Sequence, residues 1–417
     1  GARDVAGAPR NVDEAIAWLE SLLQASVKKR LVADVPLGIF LSGGVDSSTV
    51  AALAARERAG IETFSIAFSD PSFDERAHAR AVAAHLGTRH HEEELSTDEA
   101  ARIVADLGDI LDEPIADGSI VPTYLLSRFA RRHVTVALGG DGADELFAGY
   151  PTHLAHRLLE WAGPFGGAVP MRAAAVVAAR LPVSHDNFSF DFRLKKLTAG
   201  AAAPADERNY WWLGACEPAR VAALMGESGD GIARDPFAVV RARYHEPTHG
   251  THLERVLYQD VGLYLTHSVL AKVDRASMAA SLEVRAPFLD TAVAEFAGAL
   301  PIDWKLRRTT GKWILKQVAK KLVPPAIVAR PKKGFGMPIA RWLRGALEPL
   351  ARDALLDADS LAASGALARN EIARMLDEHA RGDVDHRQRL WALLVLELWQ
   401  RKNLVTSAAD RRRASTR

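Results

Sequence analysis

Leu41-Ser42-Gly43-Gly44-Val45-Asp46-Ser47-Ser48 separates two segments of different character. Val35 to Phe40, before it, is an apolar run and predicts a strand. Thr49 to Arg58, after it, is rich in alanine and predicts a helix. A Ser-Gly-Gly loop at a strand-to-helix junction suits a phosphate. Small residues let the backbone approach the anion, and N–H groups and hydroxyls can cradle its oxygens. The start of the following helix adds roughly half a positive charge. Asp46 would repel phosphate unless a divalent cation lay between them. The loop has no lysine after a glycine pair spaced as in the common phosphate loop, and no third glycine as in a dinucleotide fingerprint. Hydroxyls and an aspartate without that lysine suit a pyrophosphate leaving as a unit, and hence cleavage of ATP to AMP.

Upstream of the loop, Val12, Ile16, Leu19, Leu23, Val27 and Leu31 recur every three or four residues and predict an amphipathic helix. Beyond the loop, strand and helix signals alternate. Strands are predicted at Ile61 to Phe68, His91 to Leu95 and Val134 to Leu138. Helices are predicted at Asp74 to Leu86, Thr97 to Leu111 and Ser119 to Arg132. This alternation implies an α/β fold with a parallel twisted sheet flanked by helices, binding ligand at the carboxyl ends of its strands. Past about Tyr150 the strand signals fade, and a mostly helical C-terminal half is expected to pack on the sheet. Its clearest helices are Val261 to Ser281 and His386 to Arg401. The expected organisation is a linker-like stretch over 1–11, one domain over 12–404 with its sheet core in 12–150, and a basic tail over 405–417.

The chain's 417 residues carry 53 Lys and Arg against 52 Asp and Glu, a net charge of +1. So even a balance supplies no field for nucleic acid or a membrane surface, and small molecules are the expected partners. No apolar run reaches the roughly 18 residues of a membrane span. Gly166 to Leu181 is interrupted by Pro170, Arg172 and Arg180 and predicts an ordinary helix. Cys216 is the single cysteine. It is read as a core residue; no internal disulfide can form, and a cytoplasmic setting is expected.

Gly139-Gly140-Asp141-Gly142-Ala143-Asp144-Glu145 follows the strand ending at Leu138, placing three carboxylates among three glycines. A helix cap or a first-turn acid accounts for one of them. Metal and substrate binding accounts for all three. Two further clusters combine charge with structure. Lys272 to Arg275 and Glu283 to Asp290 read as ion pairs that hold helices to the sheet. Arg330-Pro331-Lys332-Lys333-Gly334-Phe335-Gly336 is either a solvated turn or a source of the cation that the first loop lacks.

The four motifs, in this order, closely resemble the synthetase domain of glutamine-hydrolysing asparagine synthetases, over about Val12 to Leu404. The first motif alone indicates the ATP pyrophosphatase superfamily, and the other three narrow it. The resemblance implies an adenine nucleotide alpha-hydrolase-like fold and the cosubstrate ATP with Mg²⁺. It also implies a ligase reaction, in which aspartate is adenylated with loss of pyrophosphate and ammonia then displaces AMP. By position, Ser42, Gly43, Gly44, Asp46, Ser47 and Ser48 would hold pyrophosphate and Mg²⁺, and Leu41 and Ile66 the adenine side. Gly139 and Gly140 would wall the adenylate, with Glu145 on the substrate side. Asp144 would join Asp46 at the metal, Lys332 would neutralise charge during adenylation, and Asp141 would take a proton from the attacking nitrogen.

The family's glutaminase domain, with its nucleophilic cysteine directly after the initiator methionine, has no counterpart in this sequence, so ammonia is expected from solution or from a missing domain. A homodimer is possible. The same chemistry on another carboxylate, as in β-lactam synthetases and lasso-peptide cyclases, and a non-catalytic nucleotide-binding relative are the alternatives.

Overall fold

The computed structural model describes residues 9–70, 72–163, 168–179, 190–225, 235–332, 334 and 336–405. Most of the linker-like stretch and of the basic tail, with Lys333 and Phe335, lies outside the described residues. The chain forms two compact units. One comprises Gly1–Leu95, Pro122–Pro164 and Ala242–Phe335, and the other Ser96–Val121, Phe165–Arg241 and Gly336–Arg417.

In the first unit, α1 (Val12–Arg30) opens under an Asn11 cap whose side chain accepts from the Glu14 N–H. Its Ala15, Leu19, Leu23 and Val27 recur every four residues and are fully buried. They meet α2 (Val45–Glu57), whose alanines permit close packing, in one apolar core that includes β1 (Leu37–Phe40). β2 (Glu62–Phe68), α3 (Arg76–Leu86), β3 (Arg89–Leu95) and β4 (Val136–Leu138) follow, β4 being reached through the helix Ile120–Arg131. With β5 (Glu283–Arg285), five parallel strands align in the order β3-β2-β1-β4-β5. The chain turns back across β1 to place β4 on its other side. The crevice at the carboxyl ends of β1 and β4 is therefore the point where strand order reverses, and open parallel sheets bind ligands there.

Within this unit the parallel sheet and its helices are as the sequence predicts, with three differences. β5 (Glu283–Arg285) lies in a stretch where only helices and ion pairs were expected, so the sheet draws on residues far beyond Tyr150. Its register, Val136 with Glu283 and Leu138 with Arg285, pairs a three-residue strand to a buried neighbour, too short to leave a periodic signal. Of the ion pairs expected to hold helices to the sheet here, one lies within the strand itself and the others tie the chain beyond it to α1. Arg285 meets Glu283 at 2.6 Å, and Asp290 pairs with Arg30 at 3.0 Å and Lys29 at 3.3 Å on α1. Second, the expected helix Val261 to Ser281 is a π-helix, Asp260–Leu270, continued by an α-helix, Ala271–Ala279. Third, α2 begins at Val45 rather than Thr49, so Asp46, Ser47 and Ser48 occupy its first turn.

The second unit is helical among its described residues. The segment predicted as one helix over Thr97 to Leu111 breaks into Thr97–Ala105 and Leu107–Ile110. The final helix, Arg387–Gln400, buries Leu390, Trp391, Leu394 and Val395. Its buried Glu397 is satisfied by Arg401 at 2.9 Å and by the Leu361 N–H at 3.0 Å. Lys196 donates to the carbonyls of Gly214 (2.7 Å) and Trp212 (3.1 Å), and burial pushes its pKa down to about 8. Cys216 is half-buried rather than a core residue.

Candidate active site

The loop after β1 is organised by its own hydroxyls. Ser47 Oγ accepts from the Ser42 N–H at 3.2 Å and lies 3.0 Å from Ser42 Oγ, which in turn accepts from the Gly44 N–H at 3.3 Å. Gly43 has φ +70°, and a Cβ there would lie 2.6 Å from the His78 backbone of α3, so only glycine fits both the angle and the space. Gly44 caps α2 without a side-chain partner for the first-turn N–H groups, which leaves them available to an anion.

The glycines after β4 close on this loop from the other side of the crevice. Gly139 N–H donates to Arg285 O at 2.8 Å, completing the sheet. A Cβ on Gly140 would approach Ser47 N at 3.0 Å and Asp46 Cβ at 3.1 Å, so the second loop packs directly on the first. Helix α4 (Ala143–Phe147) then carries Asp144 and Glu145.

Two lysines meet the aspartates. Lys312 Nζ lies 2.5 Å from Asp46 Oδ2 and 2.6 Å from Asp144 Oδ1, the second an ion pair off the hydrogen-bond direction. Lys332 Nζ donates to Asp144 Oδ2 at 2.5 Å. Burial alone would raise the pKa of Asp144, but Lys312 and Lys332 outweigh it and hold the carboxyl far below the usual range. Burial would likewise depress Lys332, but Asp144 and then Asp46 outweigh it and raise the ammonium above the ordinary lysine range. Asp144 and Lys332 are therefore held charged at neutral pH.

The neighbouring carboxyls behave differently. Glu145 is 1% exposed and accepts from Tyr150 OH at 2.6 Å. Burial and then the Asp144 charge push its pKa up to about 7. Burial also raises Asp141, partly opposed by Lys272. Tyr150 packs against His153 and Tyr264, and the fully buried His153 Nε2 lies 2.8 Å from Asp260 Oδ2 on the π-helix.

A mostly buried arginine joins the loops. Arg330 bonds Glu75, the residue before α3, and donates to Gly43 O at 3.3 Å. Pro331 and then Lys332 follow directly. The carbonyl that Arg330 holds and the Gly44 N–H belong to one planar peptide and point in opposite directions. Fixing the carbonyl therefore aims the N–H toward Ser42 and the cradle.

Of the residues singled out in sequence, Ser42 to Ser48, Gly139, Gly140, Asp144 and Lys332 converge at the carboxyl ends of β1 and β4. Leu41 and Ile66 are buried beside them, on the residue after β1 and on β2. Three residues escaped sequence reading. Lys312 precedes the short helix α5 (Trp313–Ala319), and its signal was a Gly-Lys pair before a helix with no strand in front. Tyr150 marks in sequence only the point past which strand signals fade. Arg330 stood among several basic residues with nothing to mark it.

A cation bound here would be held by hard oxygen donors, which suits Mg²⁺. Asp46 Oδ1 is buried and has no hydrogen-bond partner, so a donor is available beside Asp144. Among the described residues no group of three or more acids, histidines or cysteines could hold a metal by itself. Phosphate and water oxygens would have to complete the shell.

A parallel sheet with a Ser-Gly-Gly-Val-Asp-Ser cradle at its reversal point defines an α/β nucleotide alpha-hydrolase-like domain. A family model described as asparagine synthase matches residues 18–401, and the chain belongs to that family. It is 36% identical over 384 residues to a Mycobacterium bovis protein provisionally named asparagine synthetase (glutamine-hydrolysing), covering 91% of this chain and 57% of that one. It is 28% identical over 396 residues to asparagine synthetase (glutamine-hydrolysing) 1 of Bacillus subtilis, covering 94% and 60%. It is 25% identical over 378 residues to amidase chry2 of Gibberella zeae, covering 81% and 54%. The chain thus spans somewhat over half the length of these relatives. Among the described residues no helix is long and apolar enough to cross a membrane.

Proposed function

We propose that this chain catalyses ATP-dependent amide synthesis, adenylating the side-chain carboxylate of aspartate and passing the activated acyl group to ammonia. The observation that carries the reading is the convergence of Asp46, Asp144, Lys312 and Lys332, within 2.6 Å of one another in successive pairs, at the mouth of a phosphate cradle. The substrate carboxylate attacks the α-phosphorus, the bond to the β-phosphate oxygen breaks, and pyrophosphate leaves with the electron pair. The Ser42 to Ser48 loop holds that leaving group by its N–H groups and hydroxyls. Lys312 and Lys332 take up the negative charge that grows on it, as fixed cations that need no reorganisation. Bound Mg²⁺, held by Asp46 and Asp144, would supply further neutralisation of the phosphate oxygens.

Gly139 and Gly140 leave room for the adenylate beside the first loop, with Glu145 on the substrate side and Leu41 and Ile66 toward adenine. Ammonia then attacks the acyl carbon and AMP departs. Asp141 accepts the proton the nitrogen sheds; its burial-raised basicity suits that task. The relatives' names suggest that a glutamine-hydrolysing part supplies the ammonia, and the single cysteine suits the cytoplasmic setting we infer.

The amidase-named fungal relative favours a second reading, the same chemistry on a different carboxylate. ATP–pyrophosphate exchange with and without aspartate separates the two. Aspartate-dependent exchange that is lost in Asp46→Ala is expected. Exchange indifferent to aspartate would sink the aspartate reading, and exchange surviving in Asp46→Ala would sink the metal assignment.

A further inference from the structure

Lys312 is built into its place. Its backbone has φ +53°, a costly conformation for a residue with a side chain, and its N–H donates to Phe147 O at 2.9 Å. The side chain is 4% exposed. The surrounding chain is shaped to it. A Cβ on Gly149 would lie 2.1 Å from both Lys312 Cε and Asp144 Oδ1, and a Cβ on Gly311 would lie 2.5 Å from Ala148 O. The ammonium so held touches one oxygen of each aspartate, leaving Asp46 Oδ1 buried and without a hydrogen-bond partner.

We propose that Lys312 is an internal competitor of the divalent cation, so that cation and polyphosphate enter the site together and neither binds well alone. The proposal deepens the function proposed above and rests on its assignment of Asp46 and Asp144 as cation ligands. The charges show why. Asp46 and Asp144 are balanced by Lys312 and Lys332, and the cluster is neutral. A divalent cation arriving alone meets two ammonium groups already bound to its ligands, in a site where burial weakens screening. A polyphosphate arriving alone meets two carboxylates. When both arrive, the cation occupies the carboxylates while the phosphate oxygens offer Lys312 and Lys332 equally strong acceptors. Each ligand therefore raises the affinity of the other, and by the same factor.

Mn²⁺ and pyrophosphate test this by equilibrium dialysis, with electron paramagnetic resonance reading bound Mn²⁺. In the unmodified chain we expect weak Mn²⁺ binding alone and at least tenfold tighter binding with saturating pyrophosphate. Lys312→Met, which keeps the length and removes the charge, should bind Mn²⁺ alone at least tenfold more tightly than the parent and show little further gain with pyrophosphate. Far-UV circular dichroism and a cooperative melt confirm folding, with Lys312→Gln as the second variant. Mn²⁺ binding in the parent that is equally tight with and without pyrophosphate overturns the proposal, whatever the variants do. Pyrophosphate-dependent binding in the parent, with no gain in either variant, overturns Lys312 as the competitor and leaves the metal assignment standing. Failure to bind Mn²⁺ in any arm overturns both.

Discussion

Replacing Arg330 tests whether the phosphate cradle is aimed by a residue that touches no phosphate. Its guanidinium and the Glu75 carboxylate are each 12% exposed, so Arg330→Met strands a mostly buried charge. Breaking one partner of such a pair costs about 3–5 kcal/mol, and the residual exposure places this pair near 3 kcal/mol. That loss is structural and says nothing about the cradle. Arg330→Met with Glu75→Gln removes both charges and should recover most of the stability. Neither variant keeps the bond to Gly43 O, so in both the Gly43–Gly44 peptide is held only by the Gly44 N–H bond to Ser42 Oγ at 3.3 Å and the N–H is less firmly aimed. A hydrogen bond to a charged group contributes about 1.5–3 kcal/mol, which corresponds to roughly a 10- to 150-fold weaker Kd for pyrophosphate. Urea titration reads the first effect, and calorimetric binding of pyrophosphate with Mg²⁺ reads the second. A double variant that binds pyrophosphate with the parent's affinity would refute the argument, because the loop would then hold its shape without the arginine.

Two further outcomes follow from the same geometry. Gly149→Ala needs no unusual backbone angle, so its effect is crowding alone. The methyl would sit 2.1 Å from Asp144 Oδ1 and Lys312 Cε, well inside contact distance, and must push the ion pair apart; pyrophosphate exchange should fall at least tenfold while the melting temperature drops by only a few degrees, and unchanged exchange would show that the pair is dispensable. Glu145, with its pKa pushed up to about 7 from a usual 4.5, binds its proton more tightly when folded. It stabilises the fold fully below about pH 4.5, and that contribution, up to about 3 kcal/mol, is lost as pH rises through 7. Glu145→Gln should flatten stability between pH 5 and 7, and an unaltered profile by urea titration would show that another group carries it.

Much of the site was legible in the chain because its chemistry is local. A strand, a glycine turn and a helix start are set by neighbouring residues, so Ser42 to Ser48 and Gly139 to Glu145 could be placed at strand ends from pattern alone. Lys332 was legible as a basic residue beside glycine. Residues whose work depends on distant partners left weaker traces. Lys312 is far from Asp46 in sequence, and its αL backbone and glycine-lined surroundings exist only when Ala148-Gly149 packs on it. Arg330 resembled any basic residue until Gly43 and Glu75 were brought to it. β5 gained its strand character from pairing with β4, because three residues fix too few backbone angles to declare themselves.

Residue spacing along the chain was enough to specify the parallel α/β fold, the glycine loop proposed to hold phosphate and the acidic loop, since each rests on one strand-turn-helix unit. Which cations meet the aspartates, which carboxyl is held charged and which titrates near neutral pH were settled by folding alone. Those properties depend on burial and on charges brought together from remote parts of the chain, and neither has a one-dimensional signature.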